Sequence, residues 1–178
     1  MANATSTQLQ ELYVAYFGRP ADPSGLAYWL VESVSTSHFA SIMHAQPEFQ
    51  DAFGSTSTEF QVNEIYKNLF DREADAIGLA YWTNQINNDV LQLAEIATHL
   101  IYNAKATGGN ANDLAALTNR SNAVIAFTSE VSASISCTWA YETDAGLAYG
   151  KEFLAGIDKD TPHTQLDVDF ICDHLMAL

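Results

Sequence analysis

The stretch ELYVAYFGRPADPSGLAYW, residues 11–29, decides the fold, because it returns as EIYKNLFDREADAIGLAYW at residues 64–82. A supersecondary unit that occurs twice indicates a fold built by stacking similar units. The copies share ten residues besides the first: Tyr13, Phe17, Arg19, Ala21, Asp22, Gly25, Leu26, Ala27, Tyr28 and Trp29.

Both copies open with a helical pattern. Apolar residues recur at i, i+3, i+4, i+7 and i+8, which places them on one face of a helix. Thr5 and Gln8 stand just before the first run and have the form of a capping box. The two runs are Leu9, Leu12, Tyr13, Tyr16 and Phe17, and Val62, Ile65, Tyr66, Leu69 and Phe70.

The residues between the first two helices predict a tight turn. Gly18 suits the left-handed conformation that ends a helix, and Pro20 cannot continue one. Asp22 is the predicted N-cap of the second helix, with Pro23 at its first position. The second copy keeps only the capping residue, Asp75.

The second helix of each copy carries a glycine, Gly25 or Gly78, which predicts a close approach by another helix or backbone. A third helix is predicted from about Ser37, and a longer one from Asp89. The predicted buried residues of the second helices are Leu26, Trp29 and Leu30, and Leu79, Trp82 and Ile86.

No stretch alternates at period two, so we predict an all-α fold, a helical bundle. Residues 1–109 are expected to form two tandem three-helix repeats, at about 6–54 and 59–107. The loop at 107–112 is the predicted boundary, and residues 110–178 form a C-terminal helical segment packed on the repeats. Within it, Asp144–Tyr149 matches Asp22–Tyr28 with one residue missing, which indicates either a third partial copy or a chance match.

Composition excludes several classes of partner. Seven Lys and Arg against 22 Asp and Glu give a formal net charge of −15. Such a surface repels nucleic acid and anionic membranes, and it suits high-salt or extracellular media. No apolar run is long enough for membrane insertion.

Catalytic motifs and zinc-type spacings are missing from the sequence, and we predict that the chain is not an enzyme. Cys137 and Cys172 allow either one disulfide or two buried thiols. The second interpretation is favoured, because a free cysteine is often interior.

The repeated pattern, with Pro47-Glu48-Phe49 after its first copy, resembles the bacterial domain-of-unknown-function family 4214 over residues 9–130. Residues 117–124 resemble the asparagine-and-basic stretch that follows the repeats in secreted members. The resemblance implies the N-terminal domain of a surface-layer or hemolysin-like repeats-in-toxin protein, located at the cell surface. Members leave the cell in one step by a C-terminal signal, so we expect the chain to be an N-terminal piece without a signal peptide.

Four repeated residues are candidate ligand contacts. Arg19 and Arg72 could bind a carboxylated sugar, or form structural ion pairs. Trp29 and Trp82 could stack on a sugar ring, or fill a core. In both cases the structural interpretation is favoured.

The acidic stretch 158–169 is a candidate calcium loop, with Asp158, Asp160 and Asp169 as ligands. It lacks the glycine and the final glutamate of an EF-hand, and Lys159 adds a repelling charge, so a solvated turn is favoured.

We therefore expect a non-catalytic module that anchors a secreted protein to the cell envelope through lipopolysaccharide or another envelope glycan, with calcium as candidate cofactor. The alternative is a protein-protein assembly module that contacts itself or lattice neighbours without binding glycan. A metal-dependent enzyme is the weakest of the hypotheses.

Overall fold

A computed structural model describes residues 2–178, without the side chain at position 166. The described residues form helices and no strand, which confirms the all-α prediction. The helices are α1 (Ser6–Phe17), α2 (Pro23–Glu32), α3 (Thr36–Ala45), α4 (Pro47–Phe53), α5 (Thr58–Phe70), α6 (Ala76–Asn87), α7 (Ile96–Lys105), α8 (Ala111–Ser132), α9 (Ile135–Tyr141), α10 (Asp144–Ala155), α11 (Gln165–Asp169) and α12 (Ile171–Leu175), with a 3₁₀ turn at Leu93–Glu95.

The predicted caps set the ends of α1 and α2. Thr5 and Gln8 form the capping box of α1, and Gly18 ends that helix with φ of 64°. The Asp22 side chain accepts the Gly25 N–H at the start of α2. In the second copy Asp71 takes the place of Gly18 with φ of 54°, so an aspartate there adopts the same left-handed turn.

The third helices begin differently in the two copies: α3 follows an extended cap residue, and α7 follows the 3₁₀ turn at Leu93–Glu95. Helix α3 begins one residue before the prediction, at Thr36, after the Ser35 cap. The prediction of a longer helix from Asp89 is wrong. Asp89 has φ of 56° and Val90 is 68% exposed, so the chain turns there and α7 begins at Ile96. Both α3 and α7 have ten residues.

Helix α1 lies at the centre of the larger core. Every residue from Leu9 to Phe17 is buried, and α1 packs against α3, α5, α7 and α8. Among these residues is the Glu11 carboxylate, which accepts two hydrogen bonds from Lys105 Nζ, at 2.6 and 2.8 Å, and one from the Ser121 hydroxyl. The buried charge is therefore paired, as a stable interior requires.

A smaller core joins the second half of α8 to the C-terminal helices. Its buried residues are Phe127, Val131, Cys137, Tyr141, Val168, Ile171 and Leu175. Cys137 and Cys172 form a disulfide across this core, so the favoured interpretation of two free thiols is wrong. Cys137 is buried, as that interpretation expected, but helices α9 and α12 pack side by side and bring its sulfur together with that of the half-buried Cys172.

Candidate functional site

The turn after α1 aims Arg19 into the interior, where only 5% of the residue is exposed. Its Nε and Nη2 donate to the two carboxylate oxygens of Glu48, at 2.9 and 2.7 Å. Its Nη1 donates to the Pro20 carbonyl. Burial lowers the pKa of Arg19, but the bonds to Glu48 outweigh it and hold the pKa above its usual value.

Arg72 repeats this arrangement with a carboxylate from a different helix. Its Nε and Nη2 donate to the two oxygens of Asp113, both at 2.7 Å, and its Nη1 donates to the Glu73 carbonyl. Glu48 and Asp113 both lie in the first turn of their helices, α4 and α8. In both copies, the guanidinium edge that would bind a sugar carboxylate is engaged in a pair within the chain.

The tryptophans lie beside the same clusters. Trp82 is 8% exposed, and its Nε1 donates to the Tyr66 hydroxyl at 3.0 Å. Trp29 is half-buried and meets the Phe39 ring edge to face, with centroids 5.4 Å apart. Burial raises the pKa of Tyr66. These contacts are those of core residues, and the ligand roles of both tryptophans stay predictions.

Two cavities adjoin the arginines. Arg19, Trp29 and Glu48 line one of about 190 Å³, so the structure brings two of the predicted ligand residues together. Arg72 lines another of about 360 Å³ with Asp113 and Asp158, and Trp82 does not line it. The second cavity therefore joins a predicted ligand residue to one aspartate of the predicted calcium loop.

The three predicted calcium ligands have separate partners. Asp158 Oδ1 accepts the N–H groups of Asp160 and Thr161, at 2.8 and 2.6 Å, and these bonds lower the pKa of Asp158. Asp160 pairs with Lys159, and Asp169 accepts a hydrogen bond from Gln165. The last five loop positions form α11, and among residues 2–178 no three acidic, histidine or cysteine side chains are placed to hold a metal ion. Calcium binding stays a prediction.

Sequence reasoning missed the structural role of Arg120, which lies in the stretch resembling the secreted family members. Arg120 is 4% exposed and donates to the backbone carbonyls of Asn68, Leu154 and Ile157. Burial lowers the pKa of Arg120. The residue ties α8 to the end of α5 and to the loop after α10. The available signal was the spacing of Arg120 from Leu117 and Val124, which places the arginine on the apolar face of the helix.

Helices α2 and α6 expose large apolar side chains at the surface. On α2, Tyr28 is 55% exposed and Val31 is 81% exposed. The spacing of Leu30 predicts a buried side chain, but Leu30 is 40% exposed, so that prediction is wrong. On α6, Ile77 is 84% exposed and Tyr81 is 53% exposed. Only the two tyrosines occupy equivalent positions of the copies, but exposed apolar side chains grouped on one face of a helix are typical of a surface that contacts another macromolecule.

The comparison with protein families bears on the second copy. Residues 40–102 match the family described as Domain of unknown function (DUF4214). The match runs from within α3 to within α7, so it is narrower than the expected resemblance and leaves residues 11–29 outside. No curated protein and no solved structure matches the chain.

In the part of the chain that the structure describes, no helix combines the length and the apolar character that crossing a membrane requires.

Proposed function

We propose that this chain is a non-catalytic assembly module of a secreted surface-layer or hemolysin-like protein, and that it contacts copies of itself through α2 and α6. The observation that carries the proposal is the pair of exposed apolar faces, with Tyr28 and Val31 on α2 and Ile77 and Tyr81 on α6. Aromatic side chains with exposed rings are enriched where proteins meet.

The disulfide supports a location outside the cytosol. Disulfides persist in oxidising compartments, which include the cell surface, and they are rare in the cytosol. Cys137 and Cys172 are bonded to each other. The pair therefore fits a domain that is exported, as the resemblance to surface-layer proteins implies.

Net charge sets the conditions of association. At −15, two copies repel each other at low ionic strength. Salt screens this repulsion, while contacts between apolar side chains persist. We therefore expect self-association to strengthen with salt. Calcium would screen the repulsion in the same way even without a specific binding site. Magnesium at the same ionic strength is therefore the control for a calcium-specific effect.

Glycan binding is the second candidate function. Tyr28 and Tyr81 each meet the following tryptophan edge to face, with centroids 4.8 and 4.9 Å apart, and each keeps an exposed ring that could stack on a sugar. On this alternative the module anchors its protein through lipopolysaccharide, with or without calcium.

Sedimentation of the whole chain over a range of concentrations tests the proposal. We expect self-association that weakens at least about tenfold when Val31→Arg and Ile77→Arg are combined, because charge at an interface centre is costly. Val90→Arg, an exposed apolar residue outside both helices, is the control.

A pull-down with purified lipopolysaccharide separates the alternatives. The glycan-anchoring hypothesis would replace the assembly hypothesis if the chain stays monomeric at high salt and lipopolysaccharide retains it. That retention should be lost on Tyr28→Ala and Tyr81→Ala. Self-association without retention supports assembly.

A further inference from the structure

Each copy has a groove along its first two helices, lined by equivalent residues. The two grooves differ in one wall, which is present in the first copy only. In the first copy, Ser6, Pro23, Leu26, Ala27 and Leu30 line a groove of about 290 Å³ along α1 and α2. Residues 53 positions later line a groove of about 440 Å³ along α5 and α6. These equivalents are Glu59, Ala76, Leu79, Ala80 and Thr83.

A helix of the same chain forms the other wall of the first groove. The second half of α8 presents Ile125, Thr128, Ser129 and Ser132 to it. The Thr128 hydroxyl donates to the Ala21 carbonyl at 2.9 Å, in a buried hydrogen bond. An α-helix with an isoleucine at i and hydroxyl side chains at i+3, i+4 and i+7 is therefore what this groove receives.

The second groove has no such wall among the described residues. All the residues that line it belong to α5, to α6 or to the position just after α6. Burial agrees: Ala21 is fully buried and Leu26 is 8% exposed, whereas their equivalents Ala74 and Leu79 are only half-buried. The face that α8 covers in the first copy is open in the second.

One side chain in the open groove lacks a partner. Thr83 stands where the first copy has Leu30, and it is 7% exposed. Its hydroxyl is buried and forms no hydrogen bond with the described residues. A buried hydroxyl without a partner is unfavourable, so a leucine here, as in the first copy, would replace an unpaired polar group with apolar surface.

We propose that the groove along α6 binds an α-helix of a partner protein whose contacting face carries one branched apolar side chain and several hydroxyl side chains, as Ile125, Thr128, Ser129 and Ser132 of α8 do. Glu59 at one end of the groove, together with the net charge, disfavours an acidic helix. The inference rests on the proposed function because it also takes the partner to be a protein. It places the contact in the groove and not on the exposed face that carries Ile77.

The probe is a synthetic peptide of residues 119–134, held helical by a hydrocarbon staple that replaces Ala123 and Phe127. Both replaced positions lie on the side of the helix opposite Ile125 and Ser129. The peptide is fluorescently labelled and titrated with the whole chain. We expect saturable binding that weakens at least about tenfold on Ala80→Arg, which places a long charged side chain in the groove.

Three results decide the outcome. Chemical-shift changes confined to Glu59 and residues 76–88, which include every residue that lines the groove, together with loss of binding on Ala80→Arg but not on Ile77→Arg, support the inference. Tighter binding by Thr83→Leu, which copies Leu30, would also support it, because α8 fits a leucine at that position. No saturable binding, or binding lost on Ile77→Arg and kept on Ala80→Arg, overturns it. Self-association of the chain is measured separately, so the proposed assembly function stands or falls on its own data.

Discussion

At the scale of residues, the two repeated arginines differ in how deeply each would stay buried if its partner carboxylate were removed. Glu48 and Asp113 both bind an arginine through two hydrogen bonds. The Arg19 side chain is 6% exposed, whereas that of Arg72 is 32% exposed. Without its carboxylate, Arg72 can reach water, but Arg19 remains a buried cation, and the carboxylate still paired with it among residues 2–178 is that of Asp22, at 3.6 Å.

We therefore predict that Glu48→Ala lowers the free energy of unfolding by about 3 kcal/mol, as expected for a buried charge that loses its partner. Asp113→Ala is the matched variant, and its expected loss is about 1 kcal/mol, because the pair that it breaks is partly solvated. Urea unfolding followed by circular dichroism measures both. Equal losses for the two variants would contradict the assigned difference in burial.

At the scale of elements, the glycines of α2 and α6 are followed by the same four residues, Leu-Ala-Tyr-Trp, but differ in the space around them. A Cβ built at Gly25 would lie 2.8 Å from the Tyr13 hydroxyl and would collide with the Asp22 carboxylate that caps α2. At Gly78 the nearest atom is the Tyr66 hydroxyl, at 3.3 Å. The close approach predicted from sequence is thus to a tyrosine of the preceding helix.

Alanine substitutions at these two glycines should separate the cost of a steric clash from the gain in helix propensity. Gly25→Ala displaces the capping carboxylate, and we predict a loss of about 2 kcal/mol of stability. Gly78→Ala should change stability by less than about 0.5 kcal/mol, because the small displacement offsets the better helix propensity of alanine. Thermal unfolding of the two variants beside the parent chain tests this. A larger loss for Gly78→Ala than for Gly25→Ala would show that the contacts are assigned to the wrong copy.

The caps were predictable from sequence because they are local. Thr5, Asp22 and Asp75 each bind a backbone N–H three residues away, so the residue types alone indicate the bond. The partial third copy has the same geometry, but its cap is Thr143, which accepts the Gly146 N–H.

Long-range pairs could not be predicted in this way. Glu48 is 29 positions from Arg19, and Asp113 is 41 from Arg72. Nothing in the local pattern states which of the 22 acidic residues will meet a given arginine. The candidate groove was hidden for the same reason, because its distinguishing feature is that α8 covers one copy and not the other.

At the scale of the whole molecule, the disulfide joins the C-terminal helices to the rest of the chain. The helices α11 and α12 have five residues each, too few to be stable without tertiary contacts. They pack on α8 and α9, and the bond between Cys137 and Cys172 closes a separation of 35 positions. In the chain-entropy description, a loop of this size is worth about 4 kcal/mol.

We predict that reduction, or the double variant Cys137→Ser with Cys172→Ser, removes about 4 kcal/mol of stability from the smaller core. Hydrogen exchange should show protection lost first in residues 165–175 and kept in α1 and α5, whose core does not contain the bond. The unreduced parent chain is the control, and alkylation followed by mass spectrometry should find no free thiol in it. Exchange that speeds up equally in α1 and in α12 would mean that the two cores unfold as one unit, and the disulfide would then stabilise the whole bundle instead of its C-terminal part.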